Sequence, residues 1–521
     1  MTGGRDTNMR KRIGAICLLL LAAVSLGGIP VCADGAYSYL YNREKKAAAA
    51  PRAAAFQRTI TGKTAGTDSF RSPQDLFLAA DGLLYVADTG NNRIVILDGQ
   101  GKAVRIVDGF DNQGRRDAFS GPSGLFVSAA GELYVADSLN ARIVQLDAQG
   151  KLMRLLHAPR AETLPEDFYF KPTKLTVDNS GRLFVVSEGF NMGLLEFHAD
   201  GQFIQSIGAA KVAVNPIELL WRRLSTKEQR KRMISYVPTE YNNVAVDGED
   251  FLFVTTSAFE YWQYQAGNIQ PLCRLNAKGS DVLSRVGQPI GDLDFYLGFG
   301  DKGAYTGPSS IVDVCLMENG GYALLDQKRG RVFAYNRDGQ LLYEFGGPGD
   351  YADTFQVPTS LVYGNGVFYA ADSNKNQIQL FRLTEYGQLF AQAAQASISG
   401  DFAAEEALWN QIMARNANCT LALEGLGATA YRCQDMETAM RLFREAEDRE
   451  NYSKAYAFVR RAYEFGTGAG RICDCLLWRG GRRGGELFVG GGKGSGSSFP
   501  VRHGYVQAAG NRALASGRLF R

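Results

Sequence analysis

The sequence predicts a mainly β fold, a six-bladed β-propeller followed by a small α-helical repeat domain. The first observation is a motif that occurs twice, YVADTGNNRIVIL at residues 85–97 and YVADSLNARIVQL at residues 134–146. The second is that this motif belongs to a unit of about 50 residues that recurs six times, each copy with four short alternating runs separated by turn residues. The third is that the apolar period becomes helical after residue 393.

The N-terminus has the pattern of a secretory signal peptide over residues 1–33. A basic cluster follows Met9, an apolar run extends from Ile13 to about Ile29, and small residues precede the predicted cleavage site. We therefore expect an extracytoplasmic protein, secreted or held at the cell surface. An uncleaved N-terminal anchor is the alternative, although the apolar run is slightly short for a membrane span. The alanine-rich residues 34–55 are predicted to be a linker.

The six repeat units and one additional strand account for residues 56–393. The units begin at Phe70, Phe119, Phe170, about Tyr236, Tyr305 and Phe355. Four strands in each unit are typical of a propeller blade. The segment FQRTITG at residues 56–62 resembles the outer strands of the units but precedes the first unit. We expect it to supply the outer strand of the sixth blade and so to close the ring.

The motif LYVADTGNNRIVIL resembles the NHL repeat, and the resemblance extends over about residues 56–393. It implies an NHL-like propeller of the secreted bacterial type with C-terminal helices. The recurring polar residues are predicted to hold the turn between the second and third strands, because short polar side chains bond to nearby backbone. These structural repeat residues are Asp88, Asn92, Arg93, Asp137 and Arg142. A ligand-binding ring of the same residues is the alternative, weakened because Thr255 and Thr256 stand at the aspartate position of the fourth unit.

Insertions in the repeat predict where a partner binds. In this topology the turns between the second and third strands emerge on the same face as the links between blades. Residues 209–235, 257–270 and 288–304 interrupt the period, and all three belong to that face. The first is predicted to be helical and basic. Loops that are elaborated on one side of a rigid scaffold are where binding sites are usually built, so we expect the site beside blades three to five.

The candidate binding residues in these insertions are aromatic, basic and acidic. They are Trp221, Arg222, Arg223, Glu260, Tyr261, Trp262, Tyr264, Asp292, Asp294 and Tyr296. Aromatic residues and arginine are enriched at protein interfaces, so a protein partner is predicted, with a carbohydrate or other small ligand also possible. The basic helical insertion is also compatible with contact to a membrane surface. The alternative for both insertions is packing, as a lid or as an apolar plug on the propeller.

Residues 394–465 are predicted to form helical repeats with a period of 34 residues, the period of tetratricopeptide repeats. The period aligns Asp401 with Asp435 and Trp409 with Phe443, while Glu405 stands where a small residue is expected. Such an array is expected to stack against the propeller or a partner. Cys419 and Cys433 lie too far apart on one helix to form a disulfide. Residues 466–521 are a glycine-rich, low-complexity tail, or the product of a frameshift.

An enzymatic function is the alternative to a binding function. Six-bladed propellers of the gluconolactonase type bind a divalent cation near the axis, and this resemblance implies a Ca²⁺ site at Glu240, Asn242 and Asn243. Ordinary hydrogen bonding at the start of a strand is the other interpretation of these three residues. Histidine-based catalysis and zinc binding are disfavoured, because the only histidines are His157, His198 and His503.

The balance of the observations favours a protein that is not an enzyme. No catalytic residue is predicted and no cofactor is expected under this interpretation. The 57 Lys and Arg residues against 54 Asp and Glu residues, together with the signal peptide, disfavour nucleic-acid binding. The sequence therefore predicts an extracytoplasmic scaffold that binds a protein or ligand. A divalent-metal-dependent lactonase or lyase is the alternative, and a purely structural assembly protein is a third possibility.

Overall fold

The computed structural model describes residues 38–41, 46–165, 168–209, 240–256, 270–285, 290–292 and 309–467. Before the first blade lie strands β1 (Tyr39–Tyr41), β2 (Ala47–Ala49) and β3 (Ala54–Ile60) and the short helix α1 (Gly62–Ala65). Blade 1 comprises β4 (Asp75–Leu78), β5 (Leu84–Asp88), β6 (Arg93–Leu97) and β7 (Ala103–Val107). The hairpin between blades 1 and 2 comprises β8 (Gly109–Asn112) and β9 (Arg115–Ala118).

The other five blades follow in chain order. Blade 2 comprises β10 (Pro122–Val127), β11 (Leu133–Asp137), β12 (Arg142–Leu146) and β13 (Leu152–His157). Blade 3 comprises β14 (Pro172–Val177), β15 (Leu183–Ser187), β16 (Gly193–Phe197) and β17 (Phe203–Gly208). Blade 4 comprises, among the described residues, β18 (Asn243–Val246), β19 (Leu252–Thr255) and β20 (Leu272–Leu275). Blade 5 comprises β21 (Ile311–Leu316), β22 (Tyr322–Asp326), β23 (Arg331–Tyr335) and β24 (Leu341–Gly346). Blade 6 comprises β25 (Pro358–Gly364), β26 (Val367–Asp372) and β27 (Gln377–Leu383) with β3 as its fourth strand.

The second and third strands of blades 1, 3 and 5 are buried on both faces because neighbouring blades cover them. In blade 1, every residue of β5 and β6 is buried, whereas the outer strand β7 alternates between exposed and covered positions. This pattern explains why the middle strands are continuous apolar runs and only the outer strands alternate. The described sheets confirm the predicted mainly β, six-bladed fold.

The ring is closed by pairing the first long strand with the last blade. Strand β3 runs antiparallel to β27, with Ile60 opposite Ile378 and Ala54 opposite Leu383. Ile60 is buried in a cluster that also contains Val95 of blade 1, so the same strand joins the two ends of the ring. The predicted role of residues 56–62 in closing the ring is therefore confirmed, and the strand begins two residues earlier.

The structure differs from the predicted linker over residues 34–55. Strands β1 and β2 pair as a hairpin, and Tyr39, Leu40 and Tyr41 are buried. The backbone N–H of Tyr39 donates to the Glu344 carboxylate of blade 5 at 2.6 Å. Burying this Tyr-Leu-Tyr segment contributes apolar area that the alanine-rich composition of the region did not indicate.

Five helices follow the propeller. They are α2 (Glu385–Ser399), α3 (Phe402–Arg415), α4 (Thr420–Arg432), α5 (Met436–Glu445) and α6 (Arg449–Thr467). Asp401 and Asp435 are both N-caps, accepting from the backbone N–H groups of Ala404 and Thr438. The two aspartates, 34 residues apart, therefore have the same role at the start of a helix, which agrees with the 34-residue period of the sequence. A helical domain is confirmed, while its assignment as tetratricopeptide repeats remains a prediction. Cys419 and Cys433 are free thiols, as expected.

Helices α2 to α4 pack on the face of the propeller opposite the turns between second and third strands. The ring centroids of Tyr343 in blade 5 and Phe390 in α2 are 5.8 Å apart. The Asn319 side chain, in the turn between the first two strands of blade 5, donates to the Ala391 carbonyl at 3.2 Å. Trp409 of α3 belongs to the same buried cluster as the core of blades 5 and 6. These helices are therefore an extension of the propeller core.

None of the helices in the described part of the chain combines the length and the apolar character required to span a bilayer. The predicted signal peptide, all but the first residue of the insertion at 209–235, and the tail from residue 468 lie outside the described residues.

Candidate functional site

The aspartate that recurs in the repeat motif joins two parts of one blade: the turn after the second strand and the segment that leads into the blade. In blade 1 the buried Asp88 carboxylate accepts from the backbone N–H of Arg71 and from Nε of Arg93, both at 2.7 Å. Asn92, in the left-handed conformation with φ of 55°, accepts from the backbone N–H of Gly121 at 2.8 Å. Gly121 belongs to the link into blade 2, so this asparagine connects neighbouring blades.

Blade 2 repeats this arrangement with one addition. Asp137 accepts from the backbone N–H of Ser120 at 2.6 Å and from Nε of Arg142 at 2.8 Å. Arg142 also donates to both carboxylate oxygens of Asp117, at 2.7 and 2.8 Å. These bonds lower the pKa of Asp117 to about 2, because they favour its charged form. Asp117 lies in the β8–β9 hairpin, which the sequence analysis missed.

Side chains from one blade also donate to backbone carbonyls of the next blade around this face. Thr89 donates to the Pro122 carbonyl at 2.6 Å, and Gln327 donates to the Pro358 carbonyl at 3.0 Å. Ser138, Thr359 and Asn242 make the corresponding bonds to Pro172, Pro73 and Ile311. Each hydroxyl group has donated its one hydrogen within the protein, so its lone pairs remain for a ligand, whereas each amide NH2 group retains a second hydrogen.

A cavity of about 530 Å³ lies over the axis on this face, which we call the turn-face cavity. Its polar lining residues are Gln74, Thr89, Ser123, Ser138, Lys171, Thr173, Lys174, Glu188, Glu240, Asn242, Gln327 and Thr359. Lys171 and Glu188 form a salt bridge of 2.7 Å across part of the wall. The two lysines and two glutamates leave the lining electrically balanced. Leu139, whose surface is 65% exposed, adds an apolar contact point.

Below this cavity the inner strands contribute one residue per blade to an axial ring. Its members are Asp75, Gly124, Lys174, Asn243, Asp313 and Ser360. Lys174 pairs with Asp75, and Asn243 donates to Asp313. Ser360 donates to Asp75 at 3.1 Å. Lys174 lines both the turn-face cavity and a second cavity of about 260 Å³ along the axis, so the ring lies between the two.

The two axial aspartates bind backbone as well as side chains. Asp75 accepts from the N–H of Leu125 at 2.7 Å, and Asp313 accepts from the N–H groups of Leu361 and Val314, both at 2.7 Å. Burial raises the pKa of Asp313 to about 6, with Lys174 opposing and Asp75 adding to this effect. These bonds therefore link all six blades through polar groups that are removed from water.

Nine of the ten candidate binding residues from the insertions lie outside the described residues. They are Trp221, Arg222, Arg223, Glu260, Tyr261, Trp262, Tyr264, Asp294 and Tyr296. The tenth, Asp292, is buried rather than presented on a surface. It forms a salt bridge of 3.1 Å with Arg329 and accepts from the hydroxyl groups of Tyr39 and Tyr41. Asp292 therefore helps to hold the N-terminal hairpin on blade 5.

The three residues of the suggested Ca²⁺ site bond to different neighbours. Glu240 accepts from the N–H of Gly189 at 3.0 Å, and Asn242 accepts from the Thr255 hydroxyl at 2.6 Å. Asn243 belongs to the axial ring. Across the described ranges, no group of three or more His, Cys, Asp or Glu side chains is arranged to hold a metal ion.

The axial ring is a polar feature of the candidate site that the sequence did not predict. Its signal was a polar or charged residue inside an otherwise apolar inner strand, two positions after the proline in Pro73-Gln-Asp75, Pro172-Thr-Lys174 and Pro358-Thr-Ser360. Blades 4 and 5 obscured the signal, because Tyr241 and Ile311 take the place of that proline.

Comparisons with known proteins agree with this architecture. The family model described as NHL repeat matches residues 70–97, which contain the first three strands of blade 1. A search of curated proteins finds no match. The six sheets and the matched repeat show a six-bladed β-propeller with an NHL repeat in its first blade.

Several solved structures resemble the chain at low sequence identity. Virginiamycin B lyase from Staphylococcus aureus is 10% identical, with 61% of this chain and 97% of that chain covered and a TM-score of 0.37. A putative gluconolactonase is 14% identical over 64% and 94% of the two chains, with a TM-score of 0.36. A protein of unknown function from Bacteroides thetaiotaomicron is 11% identical over 63% and 75%, with a TM-score of 0.41. We transfer no residue role from any of them.

Proposed function

We propose that this protein is an extracytoplasmic binding scaffold that receives a polar segment of a protein partner in the turn-face cavity. The observation that supports this most is the cavity itself, a concave site of about 530 Å³ with balanced charge and many hydrogen-bonding groups. A polar, uncharged segment matches such a lining better than an ion does, because neither sign of charge dominates the wall. The helical domain packs on the opposite face and leaves this cavity uncovered by any described residue.

Rigidity of the cavity supports the same proposal. The residues on its rim are fixed by bonds from blade to blade, such as Thr89 to Pro122 and Gln327 to Pro358. A wall that is held in place before binding loses little conformational freedom on binding. The insertions at 209–235 and 257–270 are in the same set of connections and would extend the contact surface around this rim.

The test compares substitutions at two exposed aliphatic residues, one on the cavity rim and one away from it. Leu139 on the rim and Val104 on the outer strand of blade 1 are both more than half exposed, so replacing either with glutamate should leave folding intact. Full-length tagged protein is isolated from its own cells with each variant, and copurifying proteins are quantified by mass spectrometry. We expect Leu139→Glu to lower recovery of the partner about tenfold, and Val104→Glu to leave it unchanged. Equal recovery from wild type and Leu139→Glu would sink the proposal.

The axial carboxylates favour a second candidate, a divalent-metal-dependent lactonase or lyase. A buried aspartate with a raised pKa next to a second aspartate and a lysine is typical of catalytic sites. The first choice remains binding, because Asp75 and Asp313 are each engaged by backbone N–H groups that hold blades together. Thermal unfolding of the full-length protein with Ca²⁺, Mg²⁺, Mn²⁺ or Zn²⁺ separates the two. A reversible rise in melting temperature that EDTA removes and Asp313→Asn abolishes would favour the enzyme.

A further inference from the structure

A further cavity, distinct from the turn-face and axial cavities, lies on the opposite face of the propeller, where helices α2 to α4 pack against blade 5. We call it the helix cleft. Its volume is about 350 Å³, within the range of cavities that bind small organic molecules. One side is formed by two turns of blade 5, around Glu318 to Gly321 and Asn336 to Gln340, and the other by the helices. It shares none of its lining residues with the turn-face cavity.

The inner part of the cleft is aromatic and aliphatic. Tyr343 and Phe390 lie with ring centroids 5.8 Å apart, and Phe390 and Trp409 with centroids 6.4 Å apart. Gly425 of α4 permits this arrangement, because a Cβ atom at that position would meet the Trp409 ring at 2.5 Å. Leu421 adds to the same wall. An aromatic wall of this kind attracts apolar groups and also cations, which interact favourably with ring faces.

Four carboxylates line the cleft. Glu318 and Asp338 are exposed to solvent, whereas Glu405 and Glu424 are more buried, and Glu405 already has a cationic partner. Glu405 forms a salt bridge of 2.8 Å with Arg432 and accepts from Nε1 of Trp409 at 3.4 Å. This buried glutamate is the residue that departs from the repeat pattern, where a small side chain was expected. Because Arg432 neutralises it, Glu405 helps to shape the cleft without attracting a further charge.

The other of these more buried carboxylates, Glu424, differs in its surroundings. Gln340 of blade 5 donates to it at 2.9 Å, and among the residues that the structure describes no lysine, arginine or histidine forms a salt bridge with it. Burial raises the pKa of Glu424 to about 7, Asp448 adds to the rise, and the Gln340 hydrogen bond opposes it. A carboxylate that is removed from water and lacks a counter-charge is stabilised when a cation arrives.

We propose that the helix cleft binds a small organic cation, with its ammonium group at Glu424 and its apolar body against Tyr343, Phe390 and Trp409. An anion would be repelled by Glu424. A neutral apolar molecule would cover the aromatic wall but would leave the carboxylate without a counter-charge. The site does not depend on the function proposed for the turn-face cavity, since the two cavities lie on opposite faces.

The test uses phenethylamine as the probe, with 2-phenylethanol as its neutral analogue of similar size. Binding to the full-length protein at pH 8, where Glu424 is ionised, is measured by ligand-observed saturation-transfer NMR titration. We expect phenethylamine to bind at least about tenfold more tightly than the alcohol, since a hydrogen bond to a charged group contributes about 1.5–3 kcal/mol. Equal affinities, or no saturable binding of the amine, would overturn the proposal.

Variants locate the binding. Glu424→Gln keeps the shape of the side chain and should abolish the preference for the amine while the alcohol still binds. Glu406→Gln, at an exposed glutamate of α3, is the matched control and should change neither affinity. Ala428→Leu adds volume to the wall and should weaken both ligands. An unchanged preference in Glu424→Gln, or undiminished binding in Ala428→Leu, would place the probe elsewhere and refute the site.

Discussion

The left-handed residue in the turns between the second and third strands of blades 1, 2 and 6 shows how the repeat tolerates variation. Asn92 in blade 1 and Asn376 in blade 6 adopt this conformation, and each accepts a hydrogen bond from the segment that leads into the next blade. In blade 2 the same position is Ala141, with φ of 51° and no side-chain amide. Alanine is strained in this region because of its Cβ atom.

Replacing Ala141 with glycine should therefore stabilise the protein. Glycine removes the Cβ strain, and we expect a gain of up to about 1 kcal/mol in the free energy of unfolding. Urea denaturation of the two proteins measures the difference. Ala136→Gly, in the buried strand β11, is the control and should destabilise. A loss of stability in Ala141→Gly would contradict the account of this turn.

Asp313 should make stability depend on pH in the acidic range. Its folded-state pKa of about 6 lies above the ordinary value, so protonation favours the folded state. Its contribution is fully present below about pH 4 and is lost as pH rises through about 6. We expect wild type to exceed Asp313→Asn in stability most at pH 4, with the difference falling by on the order of 2 kcal/mol by pH 7. A stability difference between the two proteins that stays constant from pH 4 to pH 7 would refute the predicted role of Asp313.

At the residue scale, the sequence predicted the role of the repeat-motif aspartates but did not predict the axial ring. The motif aspartates recur at the same position in successive repeats. A carboxylate at a buried position near a turn is expected to accept hydrogen bonds from nearby backbone N–H groups. The axial ring does not recur visibly, because its six positions carry different residues and its bonds join segments far apart in the chain, as from Lys174 to Asp75. Only closure of the ring of blades brings such residues together.

At the scale of elements, strand β3 carries the closure of the whole ring. A chain that begins at Gly62 lacks β3, whereas a chain that begins at Arg52 lacks only the β1–β2 hairpin. We expect the first to lose more than about 3 kcal/mol relative to the second, because loss of the buried Ile60 side chain alone costs about 2–5 kcal/mol. Chemical denaturation compares the two. Equal midpoints would show that β3 does not close the ring.

Regular elements were predictable and irregular ones were not. Alternating runs with turn residues predicted the blades, and a helical period predicted the C-terminal domain. The hairpins β1–β2 and β8–β9 were missed because their strands are three or four residues long, too short to show a period. The packing of α2 on blade 5 depends on contacts such as Tyr343 with Phe390, which no local pattern encodes.

At the scale of the whole molecule, the described residues form a turn-face cavity and a helix cleft on opposite faces of one propeller. The turn-face cavity is polar and balanced in charge, whereas the helix cleft is aromatic and carries the uncompensated Glu424. Blades 5 and 6 of the propeller and the first helices share one buried core. The walls of the helix cleft are therefore parts of the same packed structure as the propeller. On this account, partner binding and ligand binding are separate properties of the same chain.

The measurement that tests the central claim most directly is site-specific photocrosslinking in cells that make the protein. A photoreactive amino acid replaces Leu139 on the rim of the turn-face cavity or, as the control, Val104 on the outer strand of blade 1. The account predicts a discrete adduct with one protein from position 139 and none from position 104. The same adducts from both positions, or an adduct from position 104 alone, would contradict it.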